Sequence, residues 1–203
     1  MKVICLTMFS PYYQPLADIS VPNFKTYCDK HGYEFYQLLV GDGDAWFKKN
    51  AAFDECFKGN SDIIFYKDID SLITNLTVPI ENFIDDEHDF FITKDIEGIN
   101  GGSLIMKNTK WSKSFNDFVL SQKENYNNEQ EVYAAFENDE RFVDKIKILP
   151  QNTINSYDYS QYETIGRRTH ENGQWEVGDF VLHLPALIIE KRLPIMKNIK
   201  IIE

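Results

Sequence analysis

Two carboxylates, Asp68 and Asp70, follow the apolar run Ile63-Ile64-Phe65-Tyr66 across a single lysine, Lys67. The run has the length and composition of a buried strand. In extended backbone, residues two apart point to the same side, so the strand end would aim both carboxylates at one point on the rim of a sheet. Like charges held so close repel, and a divalent cation relieves the repulsion. Oxygen ligands favour magnesium or manganese over softer metals. A hard cation held by one or two carboxylates shares its other positions with water and phosphate oxygens. The pattern therefore points to a metal site for a diphosphate. The plainer reading of an Asp-x-Asp tripeptide is a solvated acidic turn, so the rest of the chain has to supply the context.

Such a site needs a sheet behind it, and the order of elements predicts one. Val3-Ile4-Cys5-Leu6 suits a central parallel strand, followed by the loop Ser10-Pro11-Tyr12-Tyr13. A helix is expected from Ser20 as N-cap, with Phe24, Tyr27, Cys28 and His31 at helical spacing and Gly32 as the stop. Tyr33 to Val40 reads as a second strand, residues 41–44 as a turn, and Trp46, Phe53, Cys56 and Phe57 as the inner stripe of a second helix. Further strands are expected at 90–93, 103–106 and 180–183. Helices are expected around Trp111, Phe115, Phe118 and Val119 and around Val132, Tyr133 and Phe136. Strands alternating with helices predict an α/β fold with a mixed, mainly parallel sheet flanked by helices. Ligands in such sheets sit beyond the carboxyl ends of the strands, where Asp68 and Asp70 stand. Residues 151–178 are polar, with little periodicity, and read as a long excursion that is mobile without ligand and closes over it as a lid.

The 203 residues show no repeat, linker or composition break, so one domain over 1–203 is expected. A net charge of -11 argues against a general nucleic-acid or anionic-membrane binder. The charge is uneven: residues 141–203 hold 9 Lys/Arg and 8 Asp/Glu, which leaves room for a local basic patch there. Cys5, Cys28 and Cys56 are odd in number and form no Cys-x-x-Cys pair, which suits free thiols in a reducing compartment. No signal peptide and no apolar stretch of membrane-spanning length is seen, so the expected location is cytoplasmic.

Several motifs fall in a recognisable order. They are His31-Gly32-Tyr33, Trp46-Phe47-Lys48, Ile63 through Asp70, Asp95 with Asn100-Gly101-Gly102-Ser103, Lys107 through Ser112, Asn128-Glu129-Gln130, Asn155-Ser156-Tyr157, and Gly178-Asp179-Phe180-Val181-Leu182-His183. Over roughly residues 30 to 187 this order resembles glycosyltransferase family 34, the galactosyl-, mannosyl- and xylosyltransferases of the GT-A fold. The resemblance implies retaining transfer of a hexose or pentose from a nucleotide-diphosphate sugar, with Mn2+ or Mg2+, to a glycan, lipid-linked or protein acceptor. It makes Asp68 and Asp70 the metal motif and His183 the third protein ligand, an assignment that imidazole chemistry allows. Lys48, opening the helix before the metal strand, would offset diphosphate charge. Asp95, Asn100, Gly101 and Gly102 would face the donor sugar, with Asp68 and Thr7 also among the donor contacts. Glu129 and Gln130 would stand at the reaction centre, as nucleophile and as stabiliser of an oxocarbenium-like sugar. Taken singly, His183 could be a strand-end histidine, Lys48 a surface lysine and the glycines a tight turn.

The chain departs from the family pattern twice. Asn128 and Glu129 replace the two aspartates usual before the glutamine. The metal histidine is followed by Leu184-Pro185-Ala186-Leu187-Ile188, without the usual cation, so Lys191, Arg192, Arg167 or Arg168 would have to neutralise the diphosphate. Two other readings remain. An apolar strand ending in Asp-x-Asp also describes haloacid-dehalogenase-type phosphatases, which place it near the N-terminus and follow the second Asp with Thr or Val where this chain has Leu72. A non-catalytic nucleotide-sugar-binding module could also keep the scaffold.

Overall fold

The structure is a computed structural model that describes residues 1–41, 45–165 and 172–203. Most of the turn expected at 41–44, the Trp46 side chain, and Arg167 and Arg168 lie outside the described residues.

Strand β1 (Val3–Phe9) is buried along its whole length, as is β3 (Ile63–Lys67), and both are mostly apolar because helices cover both faces. They pair in parallel, and β2 (Glu34–Leu39) adds in parallel to the outer edge of β1. Its outer half, with Tyr36, Leu38 and Leu39, is exposed, as befits an edge. A hairpin of β5 (Phe90–Asp95) and β6 (Gly98–Lys107) lies antiparallel on the other side of β3, and β7 (Ile146–Leu149) closes that edge in parallel with β5. The sheet order is β2-β1-β3-β6-β5-β7, the mixed and mainly parallel sheet that the alternation predicts.

Helix α1 (Gln14–His31) ends at Gly32, whose left-handed φ of 71° terminates it as expected. It begins before Ser20, however. Ser20 is a buried interior residue whose hydroxyl donates to Ser71 O at 2.7 Å, so a tertiary bond takes the side chain that resembled a cap. Helix α2 (Ala45–Lys58) buries Phe53 and Phe57 against one face of the sheet, together with α3 (Lys110–Ser121) and α4 (Glu129–Phe136). Phe24, Tyr27 and Cys28 of α1 pack on the opposite face. Each of α3 and α4 starts at a side-chain cap: Thr109 Oγ1 accepts from Ser112 N and Asn128 Oδ1 from Glu131 N.

A second sheet sits at the carboxyl end of β3. Strand β4 (Ser71–Ile73) pairs antiparallel with β9 (Val181–His183), and β9 pairs in parallel with β8 (Ser156–Tyr157). Between β7 and β8 runs the short helix α5 (Gln151–Ile154), and after β9 comes α6 (Ile189–Asn198). The expectation of a poorly buried excursion over 151–178 is corrected for residues 151–162; residues 166–171 lie outside the described residues, and 174–178 are mostly exposed. Tyr157, Tyr159 and Tyr162 are core residues, and Asn155 and Ser156 are fully buried. Tyrosine carries a large apolar body with a polar tip, so a segment can fill a core without aliphatic residues once the hydroxyls find partners. Tyr157 donates to Asp95 Oδ2 at 2.8 Å and Tyr159 to Gln151 Oε1 at 3.0 Å.

Candidate active site

The small sheet sets the site. Asp68 and Asp70 do not continue β3 in extended form; they form a turn between β3 and β4. Ser71 shapes it: its N–H and hydroxyl both donate to Asp68 O, at 3.3 and 2.6 Å. The turn is tied down from both sides, by Asp68 N to Gly102 O at 2.7 Å and Leu184 N to Asp70 O at 3.0 Å. Under it lies Lys67, fully buried, which donates to Ser20 Oγ at 2.6 Å and Ser71 O at 2.9 Å. Burial pushes this ammonium down to about 7, against the pull of Asp70 and Asp68.

In register with Ser71 stands His183, which brings the third expected ligand to the pair. One ligand atom from each of Asp68, Asp70 and His183 lies within 4.8 Å of the others. The histidine is held by Asn155, whose Nδ2 donates to Thr93 Oγ1 and Asn100 Oδ1. Its Oδ1 therefore faces His183 Nδ1, at 2.7 Å, which places the ring proton on Nδ1. The other nitrogen, Nε2, faces Asp70 Oδ1 at 3.2 Å. In the neutral ring this sets a lone pair against a carboxylate, and a cation shared by the two is what such a pair accommodates. Two hard oxygens and one imidazole nitrogen, oriented by a second layer of hydrogen bonds, suit a divalent cation such as Mn2+ or Mg2+. Burial alone would raise the Asp70 carboxyl, but with no cation bound, positive charge on a protonated His183 ring and on the Arg192 guanidinium, 3.1 Å from Oδ2, outweighs it and holds the group well below the usual carboxylate range.

Gly102 makes room for this. A Cβ built there would lie 2.3 Å from His183 Cε1, so no other residue fits while the ring keeps its place. Asn100, Gly101 and Gly102 lie inside β6, where a register shift between Ile92 and Thr93 of β5 gives their stretch a bulge. Asn100 Nδ2 donates to Asp95 Oδ2 at 3.0 Å, and Asn100 Oδ1 accepts from Gly102 N at 2.9 Å.

A cavity of about 660 Å³ opens over these groups. The first turn of α4 also lines it. Gln130 Oε1 accepts from Gly101 N at 2.9 Å, leaving the amide N–H groups as what this side chain can offer a ligand. Glu129 is 2% exposed; its Oε1 pairs with Lys49 Nζ at 2.7 Å, while its Oε2 has no hydrogen-bond partner among the described residues. Lys49 Nζ also donates to Gly101 O at 2.7 Å, lies 3.9 Å from Asp68 Oδ1 and sits 4.4 Å over the Tyr66 ring. Burial would lower this ammonium, but Glu129 and then Asp68 outweigh it and keep it charged.

Of the expected site residues, Asp68, Asp70, Asp95, Asn100, Gly101, Gly102, Glu129, Gln130 and His183 all line this cavity. Two do not. Lys48 is half-buried on α2 and does not line the cavity, though its Nζ lies 3.3 Å from the O of Gly41, which does. The lysine inside is Lys49, and the signal was present: Lys49, Ala52, Phe53 and Cys56 are spaced i, i+3, i+4 and i+7 along one helical face. Thr7 is fully buried in β1, and its hydroxyl has no partner among the described residues. Of the cations expected to neutralise the diphosphate, Arg192 lines the cavity and Lys191 is exposed.

These features can be set beside known proteins. Two solved structures share the fold: a glycosyltransferase involved in glycosylation of the major capsid of PBCV-1 (TM-score 0.75, 15% identity, 97% of this chain and 99% of that one) and an active-site mutant of LgtC (TM-score 0.61, 12% identity, 96% and 95%). Both are glycosyltransferases of the GT-A type, the fold class expected from the sequence. Among curated proteins, the chain is 24% identical over 192 residues to the probable alpha-1,6-mannosyltransferase MNN10 of Saccharomyces cerevisiae, covering 70% of this chain and 48% of that protein. It is 26% identical over 106 residues to the probable alpha-1,2-galactosyltransferase gmh2 of Schizosaccharomyces pombe, covering 50% and 28%. It thus spans about half the length of the first and less than a third of the second. Residues 83–190, more than half of the chain, match the sequence profile of a family of glycosyltransferases. The chain belongs to that family, the galactosyl transferase GMA12/MNN10 family.

Proposed function

We propose that residues 1–203 act as one glycosyltransferase unit that moves a hexose or pentose from a nucleotide-diphosphate sugar to an acceptor hydroxyl, with a divalent cation and with retention at the sugar carbon. The observation that carries this reading is the meeting of Asp68, Asp70 and His183 in a cavity that Glu129 and Gln130 also line. About 660 Å³ is within the range that holds a small-molecule ligand.

The cation, held by Asp68, Asp70 and His183, would supply positive charge to the diphosphate as a leaving group. Asp95, Asn100 and the backbone of Gly101 and Gly102 would orient the donor sugar. Tyr157 and Asn100 already fix Asp95 by donating to its Oδ2, so its place is set before a ligand arrives. Gln130 would offer its amide N–H groups to the sugar. Glu129, charge-paired through Oε1 to Lys49, is a weak nucleophile; its Oε2 would accept a hydrogen bond and place negative charge near an oxocarbenium-like sugar. Retention is then best served by a front-face route, in which the acceptor's proton leaves with the departing diphosphate. The acceptor would be a glycan, a lipid-linked saccharide or a protein; a charge of -11 disfavours a nucleic acid.

Among the described residues, no helix is long and apolar enough to cross a membrane. The three cysteines are free thiols, which suits a reducing compartment such as the cytoplasm. Nothing in the geometry favours a phosphatase: the Asp-x-Asp pair meets a histidine and stands beside a family-matched segment.

The test is calorimetry with UDP, GDP, ADP and CDP, each with manganese and with a chelator, followed by product analysis with the matching sugar donors. Tight binding that needs the metal, with transfer of the sugar, is expected. Binding without turnover would leave a nucleotide-sugar-binding module. Equal binding with and without metal would remove the cation from the reading.

A further inference from the structure

Helix α6 packs on the core through Ile189 and Met196, and Arg192 lies on the same face at the i+3 position, 6% exposed. An apolar side chain would fill that place without desolvating a charge, and a buried ion pair is weak evidence for a stabilising role. The guanidinium makes two polar contacts: Nε donates to Leu184 O at 2.8 Å, and Nη2 lies 3.1 Å from Asp70 Oδ2. Together they fix the plane of the group. They use two of its five N–H donors, and the other three have no hydrogen-bond partner among the described residues, although the side chain borders the cavity.

Charge in the cavity is lopsided. Asp68, Asp70, Asp95, Glu97 and Glu129 line it against Lys49 and Arg192. Lys49 is taken up by Glu129 and Gly101 O. The stretch after His183, Leu184 through Ile188, carries no cation; it approaches the cavity with Pro185 and Ala186, the latter in a left-handed conformation with φ 59°. Among the described residues, Arg192 is the other lysine or arginine that lines the cavity, and it contacts Asp70 directly.

We propose that Arg192 is a catalytic residue that binds the leaving nucleoside diphosphate with its free N–H donors while its remaining contacts hold it beside Asp70. The inference rests on the proposed transfer and names the residue that completes the anion site. When the bond from the sugar carbon to the diphosphate oxygen breaks, its electron pair stays on that oxygen. The acceptor oxygen bonds to the carbon, and its proton passes to the diphosphate. The charge that grows on the departing group is what a planar, permanently charged fork binds well.

The experiment compares wild type with Arg192→Met, which suits the apolar face of α6, in the presence of manganese. Calorimetry uses the tightest of UDP, GDP, ADP and CDP and the monophosphate of the same base. Diphosphate affinity should fall at least about tenfold, while monophosphate affinity stays within about twofold. Turnover should drop with it and recover in part when free guanidinium is added to Arg192→Ala. Equal diphosphate affinity in a folded variant overturns the inference, and so does an equal loss for both nucleotides, which would mark a purely structural role. If Arg192→Met does not fold, Arg192→Lys, which keeps the charge but loses the fork, decides by the same comparison. If wild type binds none of the four diphosphates with manganese, the proposed transfer itself fails, an outcome distinct from the loss of Arg192's role alone.

Discussion

On one wall of the cavity Asp70 shares its carboxylate between His183 and Arg192, and Asn155 locks the histidine from behind. On the other wall Glu129 gives one oxygen to Lys49 and keeps the second without a hydrogen-bond partner among the described residues. The first wall is a network of charges around a place where a cation fits, and three Arg192 N–H donors on it also lack partners among the described residues. The second holds that lone carboxylate oxygen, and a buried polar atom without a partner is costly unless something else satisfies it. The difference suggests a division of labour. The wall with Asp70 would bind the part of the ligand that carries charge from the start, and the wall with Glu129 would meet the part that becomes charged during reaction.

Perturbing each wall should therefore give different symptoms. The largest effect is expected from Asp70→Ala, which removes a metal oxygen and leaves His183 Nε2 and Arg192 without their partner. Nucleoside diphosphate binding should lose its dependence on manganese, and turnover should fall by more than about a hundredfold, beyond the usual cost of an outer-layer change. Gly102→Ala comes next, because the new Cβ would collide with His183. It should cost about 1–3 kcal/mol of stability by denaturant unfolding and weaken metal-dependent binding in the same protein. A variant that loses neither would show that the ring yields easily.

The wall with Glu129 should respond in rate alone. Glu129→Gln and Gln130→Ala should each lower turnover by more than about tenfold with nucleotide affinity nearly unchanged. If affinity falls in step with rate, the two walls do the same work and the comparison collapses. The mildest change should be Lys48→Ala, since Lys48 is not among the residues that line the cavity. Stability within about 0.5 kcal/mol and near-normal turnover are expected. A large loss of turnover would return Lys48 to the donor site.

Much of this was legible in the sequence because it rests on local pattern. β1 and β3 are apolar runs, α3 has a clear inner stripe, and Asp68, Asp70 and His183 sit at strand ends that a motif order can find. What was not legible depends on contacts distant in the chain. Ser20 looks like a cap until Ser71, 51 residues away, claims its hydroxyl. The bulge in β6 hides a strand under a glycine pair that reads as a turn. Residues 151–162 look unburiable until Asp95 and Gln151 meet the tyrosine hydroxyls. Lys49 is a different kind of miss, and Arg192 was named only as one of four candidate cations. Each sits on the apolar face of its helix, and asking which charged residue breaks that face would have marked both.

The close fit of Gly102 against His183 also limits how this protein can change over generations. A side chain at 102 is excluded while 183 is histidine, yet a smaller residue at 183 gives up the imidazole before anything is gained at 102. Neither substitution is harmless alone, so the two positions should drift only as a pair. A relative with any residue larger than glycine at the place of 102 should also have lost the ring at the place of 183, and with it the third arm of the cation site.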